Sequence, residues 1–284
     1  MRPPATALGM SMPGMDGHPA AMGATGPSWL PLLLLLVGPA AAGYAFGVRR
    51  LIARGDPWPA RRSVAAGGGF TVLAAALLPP LGTDMNFSVH VLQHLLLAML
   101  APLLLALSAP VTLALRTFPP TGRRRLLKVL HSRAARVLTF PPIILILDVG
   151  GMYGYYLSPL FAVTHAHPGL ALAVHIHMFF AGLVLSCYLV RRDPMPRAAS
   201  TGTTLVVLVI AAGSHDLLAK LMYAHLLPHG GGTPAQLRAG AQLMFYGGDV
   251  IDICLSLAVM SAWYARGGRR LRHARRRADA VTAG

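Results

Sequence analysis

Long apolar stretches separated by short polar loops fill the chain from residue 29 onward. Seven of them approach the length of about 20 residues that a helix needs to cross a bilayer. The pattern therefore predicts an all-α, polytopic membrane helix bundle with about seven transmembrane helices. Pro102 and Pro110 lie inside the third stretch and predict a kink there. The predicted spans are 29–48, 64–81, 87–115, 137–157, 169–190, 201–227 and 241–265.

The basic residues alternate between the two ends of these spans. Five lie between the first and second spans, seven between the third and fourth, three between the fifth and sixth, and seven after the last, which is 22 of the 25 Lys and Arg residues. Because basic loops stay in the cytoplasm, the N-terminus is predicted outside and the C-terminus in the cytoplasm. Tyr153, Tyr155 and Tyr156 then fall at the outer end of the fourth span, as in an interfacial aromatic belt. The predicted regions are an extracytoplasmic tail (1–27), a seven-helix domain (28–266) and a basic cytoplasmic tail (267–284).

Composition supports a membrane protein and argues against nucleic-acid binding. Hydrophobic residues make up 55% of the chain and charged residues only 12%, with a net charge of +16. Since the basic residues lie in loops between apolar runs, we expect the lipid bilayer as the partner and no nucleic acid. No nucleophile and base pattern or phosphate-binding loop is found, so we expect no enzyme. Cys187 and Cys254 form no CxxC motif.

The histidines lie mainly on the predicted outer side. His131 and His273 alone are placed in the cytoplasm, out of 12. His90 and His94 are four residues apart on the third span, so one helix face carries both imidazoles. Two such rings can share one metal ion, or each can hydrogen-bond to a neighbouring helix.

Further donors lie on the fifth and sixth spans. His175 and His177 are two residues apart, so we expect only one of them to face the bundle interior. His215, Met222 and His225 are spaced by seven and three residues and predict a stripe of donors from the outer surface inward. Imidazole and thioether groups suit a soft cation such as copper.

Carboxylates accompany these donors inside the apolar spans. Asp249 and Asp252 lie on the seventh span and Asp148 on the fourth. Buried carboxylates can orient metal-binding imidazoles, or they can be neutral or paired with Lys220. Asp216 and Lys220 are four residues apart, which also predicts an ion pair within the sixth helix.

The N-terminal tail adds a second group of soft donors. Met10, Met12, Met15 and His18 are separated by two or three residues in a segment rich in Gly and Pro. This spacing predicts a segment that captures Cu(I) outside the membrane. A Met-rich start without a metal role is the alternative.

Several motifs resemble a known family. They are His90-Val-Leu-Gln-His94, Ala101-Pro102, Ala109-Pro110, Ser214-His215-Asp216 and the run from Ala241 to Asp249. They are similar to the CtaG-type cytochrome c oxidase assembly factors, actinobacterial members included. The resemblance implies a multi-pass plasma-membrane protein that helps to build the copper centres of the oxidase. His90, His94, His215 and Asp249 occupy the matching positions.

The leading hypothesis is an assembly factor that receives copper at the outer face and passes it to cytochrome c oxidase subunits. Two alternatives stay open: a membrane b-type cytochrome with bis-histidine haem, and a metal transporter. The apolar inner halves of the spans argue against a transporter. The sequence leaves the oligomeric state open. Under this hypothesis the metal ligands are His90, His94, His175, His177 and His215.

Overall fold

The computed structural model describes residues 33–79, 81, 86–196 and 200–282, and these contain helices but no β-strand. Helices cover most of the described part of every predicted span, which confirms the all-α class. The tail donors Met10, Met12, Met15 and His18 lie outside the described residues.

Two helices open the described chain. Helix α1 spans Gly38–Ala53, after a π-helical turn at Leu33–Val37, and α2 spans Ala60–Leu77. Both pack through glycine on the next long helix, Phe87–Thr117. A Cβ at Gly47 would lie 3.2 Å from Leu113 Cγ of that helix, and a Cβ at Gly69 would lie 2.9 Å from Leu105 Cγ. Small residues let helix backbones approach closely where lipid provides no hydrophobic driving force.

Helix α3 runs over Phe87–Thr117 and is interrupted twice. A π-helical segment, Leu95–Leu100, follows His94 directly. The second break is at Ala109, which has a φ of 55° immediately before Pro110. A proline disfavours helical conformation in the residue before it, which accounts for the break at Ala109.

The chain then forms two short helices, α4 (Pro120–Leu130) and α5 (Arg133–Leu138). Helix α6 covers Pro141–Tyr156 and contains a π-helical segment at Ile146–Gly150. Helix α7, Leu160–Ala166, bends away from α6 by 76°.

Three long helices complete the bundle: α8 (Pro168–Val190), α9 (Thr201–His225) and α10 (Pro234–Thr282). Among the described residues, four helices are long and apolar enough to cross a membrane, or five if α6 and α7 form one bent span. The four are α3, α8, α9 and the part of α10 over Pro234–Gly268. The protein is therefore a multi-pass membrane protein by its helices, while the count of seven and the orientation of the termini stay predictions.

The main hydrophobic core lies between α3, α6, α8, α9 and α10. Its largest fully buried side chains include Tyr156, Tyr188, Phe87 and Phe161. Tyr155 and Tyr156 are only 2% and 0% exposed, so they do not form the predicted lipid-facing belt. They turn inward because histidine and phenylalanine rings of the bundle offer them aromatic neighbours.

Candidate metal site

The imidazoles of His94 and His215 lie side by side in the centre of the bundle. Their ring centres are 6.4 Å apart and their planes differ by 7°. Both residues are almost fully buried, at 5% and 4% exposure. The pair joins α3 to α9, two helices that each supply one ring from a separate part of the chain.

Three ring nitrogens of this pair are buried without a hydrogen-bond partner in the described structure: His94 Nδ1 and both nitrogens of His215. Most buried polar atoms in proteins are hydrogen-bonded, because an unpaired one costs free energy. Unpaired imidazole nitrogens are therefore good candidates for binding an ion.

A small cavity of about 60 Å³ lies against the two rings. It can hold an ion or a few water molecules, since one water needs at least about 10–15 Å³ of such space. Three thioethers line it together with the imidazoles. The polar and sulfur-bearing lining residues are His94, His177, His215, Asp148, Asp252, Ser186, Met99, Met152 and Met178.

Local backbone features position the cavity residues. His94 is the last α-helical residue before the π-helical segment of α3, and Asp148 lies within that of α6. Single π-helical turns inside α-helices often mark functional sites. Gly248 of α10 packs directly on the His215 ring, where a Cβ would overlap the imidazole. The Tyr153 hydroxyl donates to the Ser214 carbonyl at 2.9 Å and ties α6 to α9 next to His215.

His90 belongs to a second group of rings, nearer the start of α3. Its Nε2 lies 3.3 Å from the Tyr156 hydroxyl. Its ring centre is 6.2 Å from that of His175 and 6.4 Å from that of His165. His90 and His94 are one helical turn apart, as predicted, and the Tyr156 ring contacts both, with ring centres 6.0 and 5.7 Å away. Their other histidine neighbours differ, since His94 lies beside His215 and His90 beside His165 and His175.

His175 is held in this second group by two further contacts. Its Nδ1 lies 2.7 Å from the Ala171 carbonyl oxygen and its Nε2 lies 3.2 Å from Gln93 Oε1, and the tautomer decides which nitrogen donates. Gln93 is 5% exposed and also donates to the Ala76 carbonyl at 2.9 Å. Gln93 thus links α3, α2 and α8.

His177 points to another side of α8, as the two-residue spacing predicts. It is exposed, its Nε2 donates to the Leu147 carbonyl at 3.0 Å, and it lines the cavity from the α6 side. His175 is half-buried and faces α3. The two histidines therefore belong to different groups.

The predicted carboxylates gather beside the cavity. Asp252 interacts electrostatically with Asp148, Asp216 and Asp249, and Asp249 interacts with His215. Asp216 and Asp252 each bury one oxygen that has no hydrogen-bond partner in the described structure. Among the hydrogen bonds described for these four residues, none joins a carboxylate to an imidazole, so their predicted orienting role stays a prediction.

The donors of the predicted stripe on α9 differ in exposure. Met222 is completely buried in the main core, whereas His225 is exposed. The predicted Asp216–Lys220 ion pair is absent from the described ion pairs, of which Arg116–Asp56 is the one present. Lys220 instead lies over the Phe245 ring, 5.1 Å from its centre.

The described residues contain no group of three or more His, Cys, Asp or Glu side chains that could hold a metal ion together. The arrangement offers instead two imidazole groups: His94 and His215 at the cavity, where His177 also lies on the wall, and His165 and His175 around His90. The donors on the cavity wall are imidazoles, the three methionine sulfurs and the carboxylates of Asp148 and Asp252.

Comparison with known protein families decides the identity. The model of the cytochrome c oxidase caa3 assembly factors matches residues 42–266, which is most of the chain and includes every histidine of both groups. The chain belongs to this family.

Similar proteins occur in mycobacteria. This caa3 assembly-factor chain is 36% identical over 171 residues to an uncharacterized protein of Mycobacterium bovis and 30% identical over 166 residues to one of Mycobacterium leprae. Each match covers 55% of this chain, and the chain spans about a quarter of the length of these curated relatives. No solved structure shows significant similarity.

Sequence reasoning missed five contributors to the sites of this caa3 assembly-factor chain. His165 lies on the short bent helix α7, Gln93 is neutral, and Tyr156 was interpreted as an interfacial residue. Gln93 lies between His90 and His94 in the motif, which was the one available signal. Met99 and Met152 carried no spacing signal because they belong to different helices.

Proposed function

We propose that this protein assists cytochrome c oxidase assembly by holding one Cu(I) ion between His94 and His215 and releasing it to an oxidase subunit. Membership of the caa3 assembly-factor family supports the oxidase part of the proposal. The buried, unpaired nitrogens of His94 and His215 support the copper part. Copper is the cargo in this proposal, and the plasma membrane is the proposed location.

The imidazole and thioether donors at the cavity favour copper over harder ions, although the carboxylates of Asp148 and Asp252 also line it. Imidazole suits copper, and thioethers select Cu(I), whereas Mg²⁺ and Ca²⁺ prefer oxygen ligands. A separation of 6.4 Å between ring centres allows one shared ion where a nitrogen of each ring faces it, because each metal–nitrogen bond is about 2 Å long and each ring centre lies about 1 Å behind its nitrogen. Met99, Met152 and Met178 lie on the cavity wall and can supply sulfur.

The cavity size argues against haem as the ligand. Pockets for cofactor-sized ligands usually measure about 300–1,000 Å³. The space beside His94 and His215 is about 60 Å³. A metal ion is therefore the better occupant of this cavity.

The direct test is Cu(I) binding by the purified protein in detergent under anaerobic conditions, measured by competition with a coloured Cu(I) chelator. We expect one Cu(I) per chain for the wild type. His94→Ala and His215→Ala should each weaken binding at least tenfold. His131→Ala is the matched control, since His131 is exposed and bonds to the Leu127 carbonyl far from the cavity.

The role in oxidase assembly is tested separately, by expressing the variants in cells that need this protein to assemble the oxidase. We expect the His94→Ala variant to leave oxidase protein in the membrane with reduced copper content, and His131→Ala to support normal assembly. Equal Cu(I) affinity in all variants would refute the copper site. Unimpaired oxidase in cells lacking the protein would refute the role in assembly.

A further inference from the structure

A second, larger cavity lies at the opposite side of the bundle, where α3 ends and α4 begins. Its volume is about 700 Å³, within the range of ordinary ligand pockets. The charge pattern of the loops assigns this face to the cytoplasm. Its lining includes Thr112, Arg116, Phe118, Arg123, Arg124 and Leu127.

The cavity carries an excess of positive charge. Three arginines line it, against one acidic residue, Asp56, which is paired with Arg116. Arg123 and Arg124 are exposed and have no acidic partner among the described residues. Their guanidinium groups are therefore available to an anion, and arginine matches the geometry of phosphate by paired hydrogen bonds.

Helix α4 has the composition of a helix that lies in a membrane interface. Its basic residues Arg125 and Lys128 are exposed, while Leu126 and Leu127 are half-buried. Apolar side chains are exposed nearby, with Phe118 at 50% and Val129 at 64%. Basic and apolar groups exposed together are typical of helices at the boundary between headgroups and acyl chains.

Apolar exposure continues past this helix. Val137, Leu138 and Phe140 are 54%, 45% and 42% exposed in the segment that leads into α6. A cavity with cationic walls and apolar rims fits an amphiphile whose polar end is anionic. A free anion would need the arginines but not the apolar rim.

We propose that this cavity binds the phosphate headgroup of an anionic phospholipid from the cytoplasmic leaflet. Arg123 and Arg124 contact the phosphate, and the chains of the lipid lie along the apolar rim formed by Phe118 and Leu127. Basic pockets between transmembrane helices on the cytoplasmic side are suited to such headgroups. This site is independent of the copper proposal, because it shares no residue with the cavity at His94 and His215.

Native mass spectrometry of the full chain in neutral detergent tests this, with phosphatidylglycerol and phosphatidylcholine as probes. We expect one phosphatidylglycerol to remain bound under conditions that remove phosphatidylcholine. The pair Arg123→Gln/Arg124→Gln should weaken its binding roughly tenfold or more, since each basic residue near an anionic surface contributes about fivefold. Because both residues are exposed, the variant should retain the wild-type thermal stability in detergent.

The pair Arg125→Gln/Lys128→Gln is the matched control. It removes the same charge from the same helix, but neither residue lines the cavity. We expect less than a threefold change for this pair. An equal loss of phosphatidylglycerol binding in both double variants would show general electrostatic attraction to the surface and would contradict a specific site. Inorganic phosphate at millimolar concentration should fail to displace the lipid, and full displacement would assign the cavity to free phosphate instead.

Discussion

Gly248 of α10 lies directly against the imidazole of His215, so that a single methyl group at this position would overlap the ring. The contact fixes where His215 stands relative to His94. We expect Gly248→Ala to push the His215 ring out of place and to weaken Cu(I) binding roughly tenfold. Overpacking of this kind also costs about 1–3 kcal/mol of stability. Chelator competition and thermal unfolding in detergent measure the two effects.

Gly213→Ala on α9 is the control for this variant. A Cβ at Gly213 meets no atom within 4 Å apart from its own helix. It should leave both Cu(I) affinity and unfolding temperature close to those of the wild type. Wild-type Cu(I) affinity in Gly248→Ala would show that the position of His215 does not matter for the ion.

Gly182 of α8 meets the carbonyl oxygen of Ala98 on α3, with no room for a side chain. We predict that Gly182→Ala destabilises the protein by roughly 2 kcal/mol or more, because the two helix backbones must separate. Gly169→Ala, at the start of the same helix, is matched to it because a Cβ there meets nothing within 4 Å. Unfolding temperatures in detergent should separate the two variants, and equal values would contradict the packing.

Gln93 links three helices through its side-chain amide, with Ala76 on one side and His175 on the other. We predict that Gln93→Leu lowers the free energy of unfolding by about 1–2 kcal/mol, since both hydrogen bonds are lost at a buried position. Gln242→Leu is the control, because Gln242 is exposed and makes no described hydrogen bond. An equal effect of both substitutions, measured by thermal unfolding in detergent, would argue against the linking role.

The predicted topology can be tested without reference to the metal. The alternation of basic loops predicts that the loop over 118–136 and the region after residue 268 are cytoplasmic. A fluorescent reporter fused after residue 284 should fold and fluoresce, and an alkaline phosphatase reporter inserted at the same point should be inactive. Active phosphatase at this point would contradict the predicted orientation and place the C-terminus outside the cytoplasm.

Much of the fold follows from apolar length alone. The long described helices fall on predicted spans because about 20 apolar residues favour a membrane helix whatever their packing partners, whereas the short helices α4, α5 and α7 lie mainly in segments predicted as loops. The break at Ala109 was also predictable, since Pro110 restricts the backbone before it. The bend between α6 and α7 was not, because residues 157–159 at the break resemble an ordinary loop.

The site was predicted only in part. The spacing of His90 and His94 fixes one helix face, but it does not say which helices approach that face. Packing places His94 beside His215 and His90 beside His175, and this division depends on contacts between distant parts of the chain. The one-sided distribution of histidines drew attention to the third, fifth and sixth spans, whereas the inward turn of Tyr155 and Tyr156 required coordinates.

X-ray absorption at the copper edge of the protein loaded with one equivalent of Cu(I) tests the central claim most directly. The account predicts scattering from two imidazole nitrogens at about 2.0 Å together with methionine sulfur. In the His94→Ala/His215→Ala variant, loaded in the same way, the imidazole scattering should disappear. An unchanged imidazole signal in that variant would contradict the account, because it would place the copper on other histidines.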